Sequence, residues 1–222
     1  MKRYVDMAEI SDGRLYKAGD MVKAGCNDCQ GCSKCCHDMV NTIILFPLDS
    51  YHLQKGLGKA FAEMIDREVE LNVVDGVVLP NLKMTEKGNC CAFLNASGRC
   101  GIHAFRPDLC RLFPLGRYYE NGDFSYFLQV GQCERPHTKV KVSKWIDTPN
   151  PVKNKEYLLR WHNLLGMAQE LLQNNGNEEL SKNLSLAVLN VFYLKPYDVT
   201  EDFYPQFAER AEGMEQILRG ES

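Results

Sequence analysis

The sequence predicts an α+β fold, with a cysteine-rich N-terminal part built on short β-hairpins and a C-terminal segment of three helices. Three observations predict it. All ten cysteines fall between Cys26 and Cys133, and none follows. Two dipeptides with hairpin-turn chemistry, Asp75-Gly76 and Asn121-Gly122, each separate two short apolar or aromatic runs. After the breaker-rich stretch Asp147-Thr148-Pro149-Asn150-Pro151, the apolar residues switch to a helical period. The expected division is residues 1–146, a cysteine-cluster domain, and 152–222, a helical segment packed on it.

Taken in order, Val40 to Phe46 reads as a strand and Leu57 to Glu70 as an amphipathic helix whose Glu63, Asp66, Glu68 and Glu70 form a solvated face. Val73-Val74 and Val77-Val78 flank the first turn dipeptide; Arg117 to Glu120 and Phe124 to Val130 flank the second. Tyr157, Leu158, Trp161, Leu164, Leu165, Ala168, Leu171 and Leu172 keep one face of a helix that stops near Asn175-Gly176. Leu180, Leu184, Ala187, Val188 and Val191 continue in a second helix, which Pro196 terminates. Phe203, Phe207, Arg210, Ala211, Met214 and Leu218 mark a third. Such stripes are read as a packed core, because tertiary burial is what stabilises amphipathic helices.

The bulk charge excludes one class of partner. With 26 basic and 29 acidic residues the chain carries a formal charge of -3, so it lacks the basic excess that a phosphate backbone requires and no nucleic-acid partner is expected. Charges run through Met1 to Gly19, leaving no apolar signal region, and no apolar stretch approaches a membrane span. A cytoplasmic chain without membrane contact is expected. In that reducing compartment, clustered thiols serve as ligands or redox groups more often than as disulfides.

Cys26, Cys29, Cys32 and Cys35 stand at uniform three-residue steps, and Cys36 follows directly. Two residues between ligands allow a tight turn to aim both sulfurs at one centre while nearby amides point at them. Bacterial ferredoxins share the first steps but then leave a three-residue gap before Cys-Pro, so this is a different loop. Neighbouring cysteines do not readily turn both side chains to one small ion, and Cys35 and Cys36 serve either two centres or one larger cluster. A second group comprises Cys90, Cys91, Cys100, Cys110 and Cys133, interspersed with Arg99, Arg106 and Arg111. Several thiolates on a divalent ion leave net negative charge, which these arginines are positioned to offset. His37, Asp38 and His103 are further candidates, read first as hydrogen-bonding neighbours of the thiols.

Cys29-x2-Cys32-x2-Cys35-Cys36, then Cys91-Ala92-Phe93-Leu94, Cys100-Gly101-Ile102-His103, Arg106-Pro107 and Cys110-Arg111-Leu112-Phe113-Pro114, resembles the CxxCxxCC family of zinc- or iron-chelating proteins. The likeness runs from about Cys29 to Trp145. That family includes bacterial flagellin lysine-N-methylase. The resemblance implies eight metal ligands, Cys29, Cys32, Cys35, Cys36, Cys91, Cys100, Cys110 and Cys133, with Arg99, Arg106 and Arg111 around them. Cys26 and Cys90 lie outside its pattern. By count eight thiolates fit two four-cysteine centres, and an iron-sulfur cluster is preferred over zinc because of the ferredoxin-like opening and the methylase branch.

The functional expectation is a cysteine-cluster protein holding an iron-sulfur cluster or zinc, with no reaction assigned. The alternative is an S-adenosylmethionine-dependent protein lysine N-methyltransferase, with a protein substrate such as flagellin. No Gly-x-Gly-x-x-Gly element follows a predicted strand, and the Cys-x3-Cys-x2-Cys signature of radical S-adenosylmethionine chemistry is also missing. A metal-free thiol switch through Cys35-Cys36 or Cys90-Cys91 is disfavoured, since a disulfide between neighbours is strained.

Overall fold

The computed structural model describes residues 6–25, 32–85, 89–133, 138–175 and 177–220. A short helix α1 (Met7–Ile10) and strand β1 (Met21–Gly25) lead into the cysteine region. There follow helix α2 (Pro47–Leu57), strands β2 (Val69–Val74) and β3 (Val77–Leu82), and the short helix α3 (Asp108–Leu112). Strands β4 (Leu115–Glu120), β5 (Asp123–Leu128) and β6 (Thr138–Lys141) come next, then helix α4 (Val142–Ile146). The chain closes with α5 (Pro151–Asn175), α6 (Glu178–Leu189) and α7 (Phe203–Arg219). The architecture is α+β, with three two-stranded antiparallel ribbons, β2-β3, β4-β5 and β1-β6.

Both turn dipeptides make the hairpins expected of them. Asp75 and Gly76 take φ of 51° and 87°, and Asn121 and Gly122 take 52° and 74°. Two consecutive positive φ values are what a two-residue turn needs to match strand twist. Val74 accordingly pairs with Val77, and Glu120 with Asp123.

The segment from Val40 to Leu57 differs from the expectation. Val40 to Phe46 is not a strand: Val40 has a φ of 43°, outside any extended conformation, and only Ile44 forms a bridge, to Asn81. Leu45 N–H donates to the Pro80 carbonyl (2.8 Å), and Leu82 N–H donates to the Ile43 carbonyl (3.0 Å). The chain then enters a helix ten residues ahead of the expected one. Pro47 supplies the fixed φ of a first helical turn, and the Asp49 carboxylate accepts the Phe46 N–H (2.8 Å). Gly58, at φ 65°, ends α2, and its N–H donates to the Gln54 carbonyl (2.9 Å). Residues that the sequence assigned to a helix instead form a 3-10 turn (Phe61–Met64) and β2, where Val69, Val73 and Val74 favour the pleated strand.

Helices α5, α6 and α7 form where their stripes predict, and α5 begins earlier, at Pro151. Gly176, half of the expected stop of α5, lies outside the described residues. The second helix continues past Leu189 as a π-turn (Asn190–Leu194) before Pro196. Apolar faces of these helices join Ile43 to Phe46, α2, β3 and Cys91 in one continuous core, with Trp161, Phe192 and Tyr193 fully buried. Polar contacts cross the same boundary: Tyr193 Oη donates to the Leu45 carbonyl (2.8 Å), and Leu48 N–H donates to Tyr157 Oη (3.1 Å). A second, smaller core of Val22, Ala24, Leu112, Leu115, Val142 and Ile146 ties the β1-β6 ribbon to α3 and α4. Among the described residues no helix is long and apolar enough to cross a membrane.

Candidate metal centre

Backbone pairing brings the two cysteine groups together. Cys35 and Cys36 lie in a 3-10 turn (Lys34–Cys36), and the Cys36 carbonyl accepts the Cys91 N–H (2.7 Å). His37 bridges Cys90, and Asp38 N–H donates to the Asn89 carbonyl (2.8 Å). On its other side this segment pairs with the end of β3: Met84 bridges Cys91, and Ala92 N–H donates to the Lys83 carbonyl (3.0 Å). Cys100 is held by a tight loop in which the Asn95 side chain accepts the Ser97 and Arg99 N–H groups (3.0 and 2.9 Å). Cys110 sits at the middle of α3. Helix α2 backs this arrangement closely, since a Cβ on Gly56 would lie 2.5 Å from the Phe105 ring.

Six of the predicted ligands, Cys32, Cys35, Cys36, Cys91, Cys100 and Cys110, line one cavity of about 80 Å³. Ile43, Leu82, Ile102, Phe113 and Trp145 supply apolar wall. Arg99, Arg106 and His103 also line it. Cys133 is half-buried and Cys90 contacts Thr85 Oγ1 (3.1 Å); neither lines the cavity. Cys26 and Cys29 lie outside the described residues. Arg111 is turned to the backbone, donating to the Asp147 and Ala104 carbonyls (3.3 and 3.4 Å). His37 Nε2 is 3.3 Å from Ser33 Oγ.

The thiols of the cavity feel one another. Cys35, Cys91, Cys100 and Cys110 interact electrostatically in every pairing, and Cys36 interacts with the first three. The Cys36 thiol donates to the Cys35 sulfur, which, helped by the Arg106 cation and opposed by burial, brings Cys35 down to about 7. Cys36, as donor in that bond, is pushed up, with burial adding to the effect. Burial pushes Cys91 up to about 11 and raises Cys100 and, most strongly, Cys110. One thiolate beside several protonated thiols is the state this environment favours until a cation displaces the protons.

Among the described residues, no three His, Cys, Asp or Glu side chains stand at mutual metal-ligand spacing; the thiols share a cavity without converging on a point. The donor set nevertheless fits a thiophilic ion or cluster in chemistry, since thiolate is the ligand that zinc and iron-sulfur centres take. The surrounding charge fits as well. Arg106 Nη1 donates to His103 Nε2, while its Nε is buried without a hydrogen-bond partner, a cationic group suited to a negatively charged thiolate centre.

Sequence reasoning missed the acidic and basic groups behind Cys110. Asp49, 2% exposed, accepts the Asp108 N–H (2.8 Å), and Asp108 is held by Arg117 through two hydrogen bonds of 2.5 and 2.8 Å. Only the proline at the start of α2 could have hinted that Asp49 caps a helix. Asp108 and Arg117 carry no motif.

An arginine-flanked pocket walled by six thiols is the candidate metal centre of the chain. Residues 28–133 match the model of the CxxCxxCC family, described as "Putative zinc- or iron-chelating domain". No curated protein matches the chain, and no solved structure does.

Proposed function

We propose that the cavity holds an iron-sulfur cluster, with Cys35, Cys91, Cys100 and Cys110 as its principal ligands and Cys36 as hydrogen-bond donor to the Cys35 sulfur. The observation that carries this reading is that those four thiols, drawn from distant parts of the chain, line one cavity. The opening Cys-x2-Cys-x2-Cys steps are shared with ferredoxin loops, and the apolar walls of the cavity would keep water from a cluster. Cys32, Cys29 and Cys133 complete the proposed eight-thiol set, either in the same centre or in a second one. When bound, the centre would supply thiolate-ligated iron able to change charge; the chain's own residues orient the sulfurs, exclude solvent and offset negative charge through Arg106 and Arg99. The free state of all eight described cysteines suits a reducing, cytoplasmic setting. The two-part organisation, residues 1–146 supplying the ligands and 152–222 a packed helical support, is part of the same proposal. Nothing beyond family resemblance supports the methylase alternative, so the proposal includes neither S-adenosylmethionine nor a protein substrate.

Anaerobic purification followed by iron, zinc and acid-labile sulfide analysis with a visible spectrum tests the reading. Iron and sulfide in comparable amounts, with thiolate-to-iron absorption, are expected. A colourless protein with stoichiometric zinc would replace the cluster by a zinc centre on the same thiols.

A further inference from the structure

We infer that Asp49 is a positioning residue for Cys110, acting through the first backbone N–H of α3, whose residue Asp108 is also held by Arg117. This rests on the thiolate-centre reading above. Helix α3 is only five residues long, too short to hold its own orientation, and Cys110 is its middle residue. Its first residue is fixed from two directions. Asp49 Oδ1 accepts the Asp108 N–H at 2.8 Å, while Oδ2 of the same carboxylate accepts the Phe46 N–H at 2.8 Å, so one buried side chain joins the starts of α2 and α3. The Asp108 carboxylate is gripped by both terminal nitrogens of Arg117, whose side chain is 4% exposed and lies over the Phe124 ring. At the far end of α3, Trp145 Nε1 donates to the Phe113 carbonyl (3.2 Å).

Arg117 offsets the charge of Asp108, but burying the Asp49 carboxyl beside that pair and a thiolate site is costly. A fold retains such an arrangement when it fixes geometry that an apolar contact would leave free. Here the fixed element carries a ligand sulfur, and partners that orient ligands are worth about 10–100-fold in metal affinity.

The test uses cobalt(II) added anaerobically to the reduced full-length protein, because thiolate-to-cobalt absorption reports the number of sulfurs on the ion. Wild type should show that absorption, and Cys110→Ser should lose part of it per bound cobalt. Asp49→Asn keeps shape but loses one acceptor oxygen; it should bind cobalt about 10–100-fold more weakly and show the same reduced absorption per bound cobalt, with the helical circular dichroism preserved. Should Asp49→Asn fail to fold, Arg117→Lys, which keeps charge but loses the two-pronged grip on Asp108, should show the same changes more mildly. Ser185→Ala removes a buried hydrogen-bonding hydroxyl between α6 and β3, away from the cavity, and should leave the absorption per cobalt at the wild-type value. Wild-type affinity and absorption in both Asp49→Asn and Arg117→Lys overturn the inference. An equal loss in Ser185→Ala also overturns it, because general destabilisation would then account for the effect. Absence of thiolate absorption in wild type overturns the thiolate-centre reading itself.

Discussion

Burial and charge act on single side chains in opposite senses on the two sides of α3. Within the cavity, burial keeps Cys91, Cys100 and Cys110 protonated while Cys35 is eased towards thiolate by the Cys36 thiol and Arg106. Behind it, Asp49 satisfies two backbone donors. Asp49→Ala should therefore cost about 1–3 kcal/mol for each donor left unpaired, measurable by urea denaturation. His52 on α2 is held down to about 4, chiefly by burial and then by Arg111 and Lys55, with Asp108 opposing. An exposed histidine in the unfolded chain titrates near 6.5, so between those values the unfolded state binds more protons. The contribution of His52 to stability should be complete above about 6.5 and fall away as the pH drops through about 4; in His52→Gln that part of the acid-induced loss should vanish from the denaturation midpoints. Equal pH profiles for the two proteins would contradict this. The cysteines and arginines of the cavity were legible because their residue types and spacing announce chelation. Asp49, Asp108 and Arg117 were not, since their meaning comes from contacts made 59 and 9 residues apart.

Among the elements, those specified by local chemistry are the ones the sequence announces. Asp75-Gly76 and Asn121-Gly122 need only their own backbone to turn, and the helices after Pro151 need only a stripe of buried positions. The region from Val40 to Glu70 was misread because its apolar residues serve several partners: Ile43 to Phe46 is apolar to meet β3, and Phe61 and Met64 are apolar in a single 3-10 turn. Pro47 and Gly58, which bracket α2, were the better signals. At Gly76, φ is 87° and a Cβ would lie 3.0 Å from Leu172 Cδ1. Gly76→Ala should lower stability by about 1–2 kcal/mol, with unchanged metal content, because it strains the turn and crowds α5 without touching the cavity. Asn177→Ala should cost about 1 kcal/mol through loss of the cap in which Asn177 Oδ1 accepts the Leu180 N–H (2.7 Å).

Across the whole molecule, the cysteine region and the C-terminal helices share one core. Leu45, Leu79 and Cys91 on the cysteine side are buried with Trp161, Phe192 and Phe207 from the helices. A chain ending at residue 150 would expose that surface, and it should fail to give a cooperative thermal transition even with metal present; a sharp transition in the truncated chain would contradict the shared core. The cavity in turn depends on segments far apart in sequence, joined where Cys36 accepts from Cys91. No reading of spacing alone could have said that six of the predicted thiols line one cavity. Metal and sulfide content per chain, measured anaerobically for wild type and for Cys35→Ser, Cys91→Ser, Cys100→Ser, Cys110→Ser and Cys90→Ser, tests the proposed centre directly. Each of the first four variants should lose the centre, and Cys90→Ser should keep it. Full occupancy in the first four variants, or a wild-type protein that binds neither iron nor zinc, would contradict it.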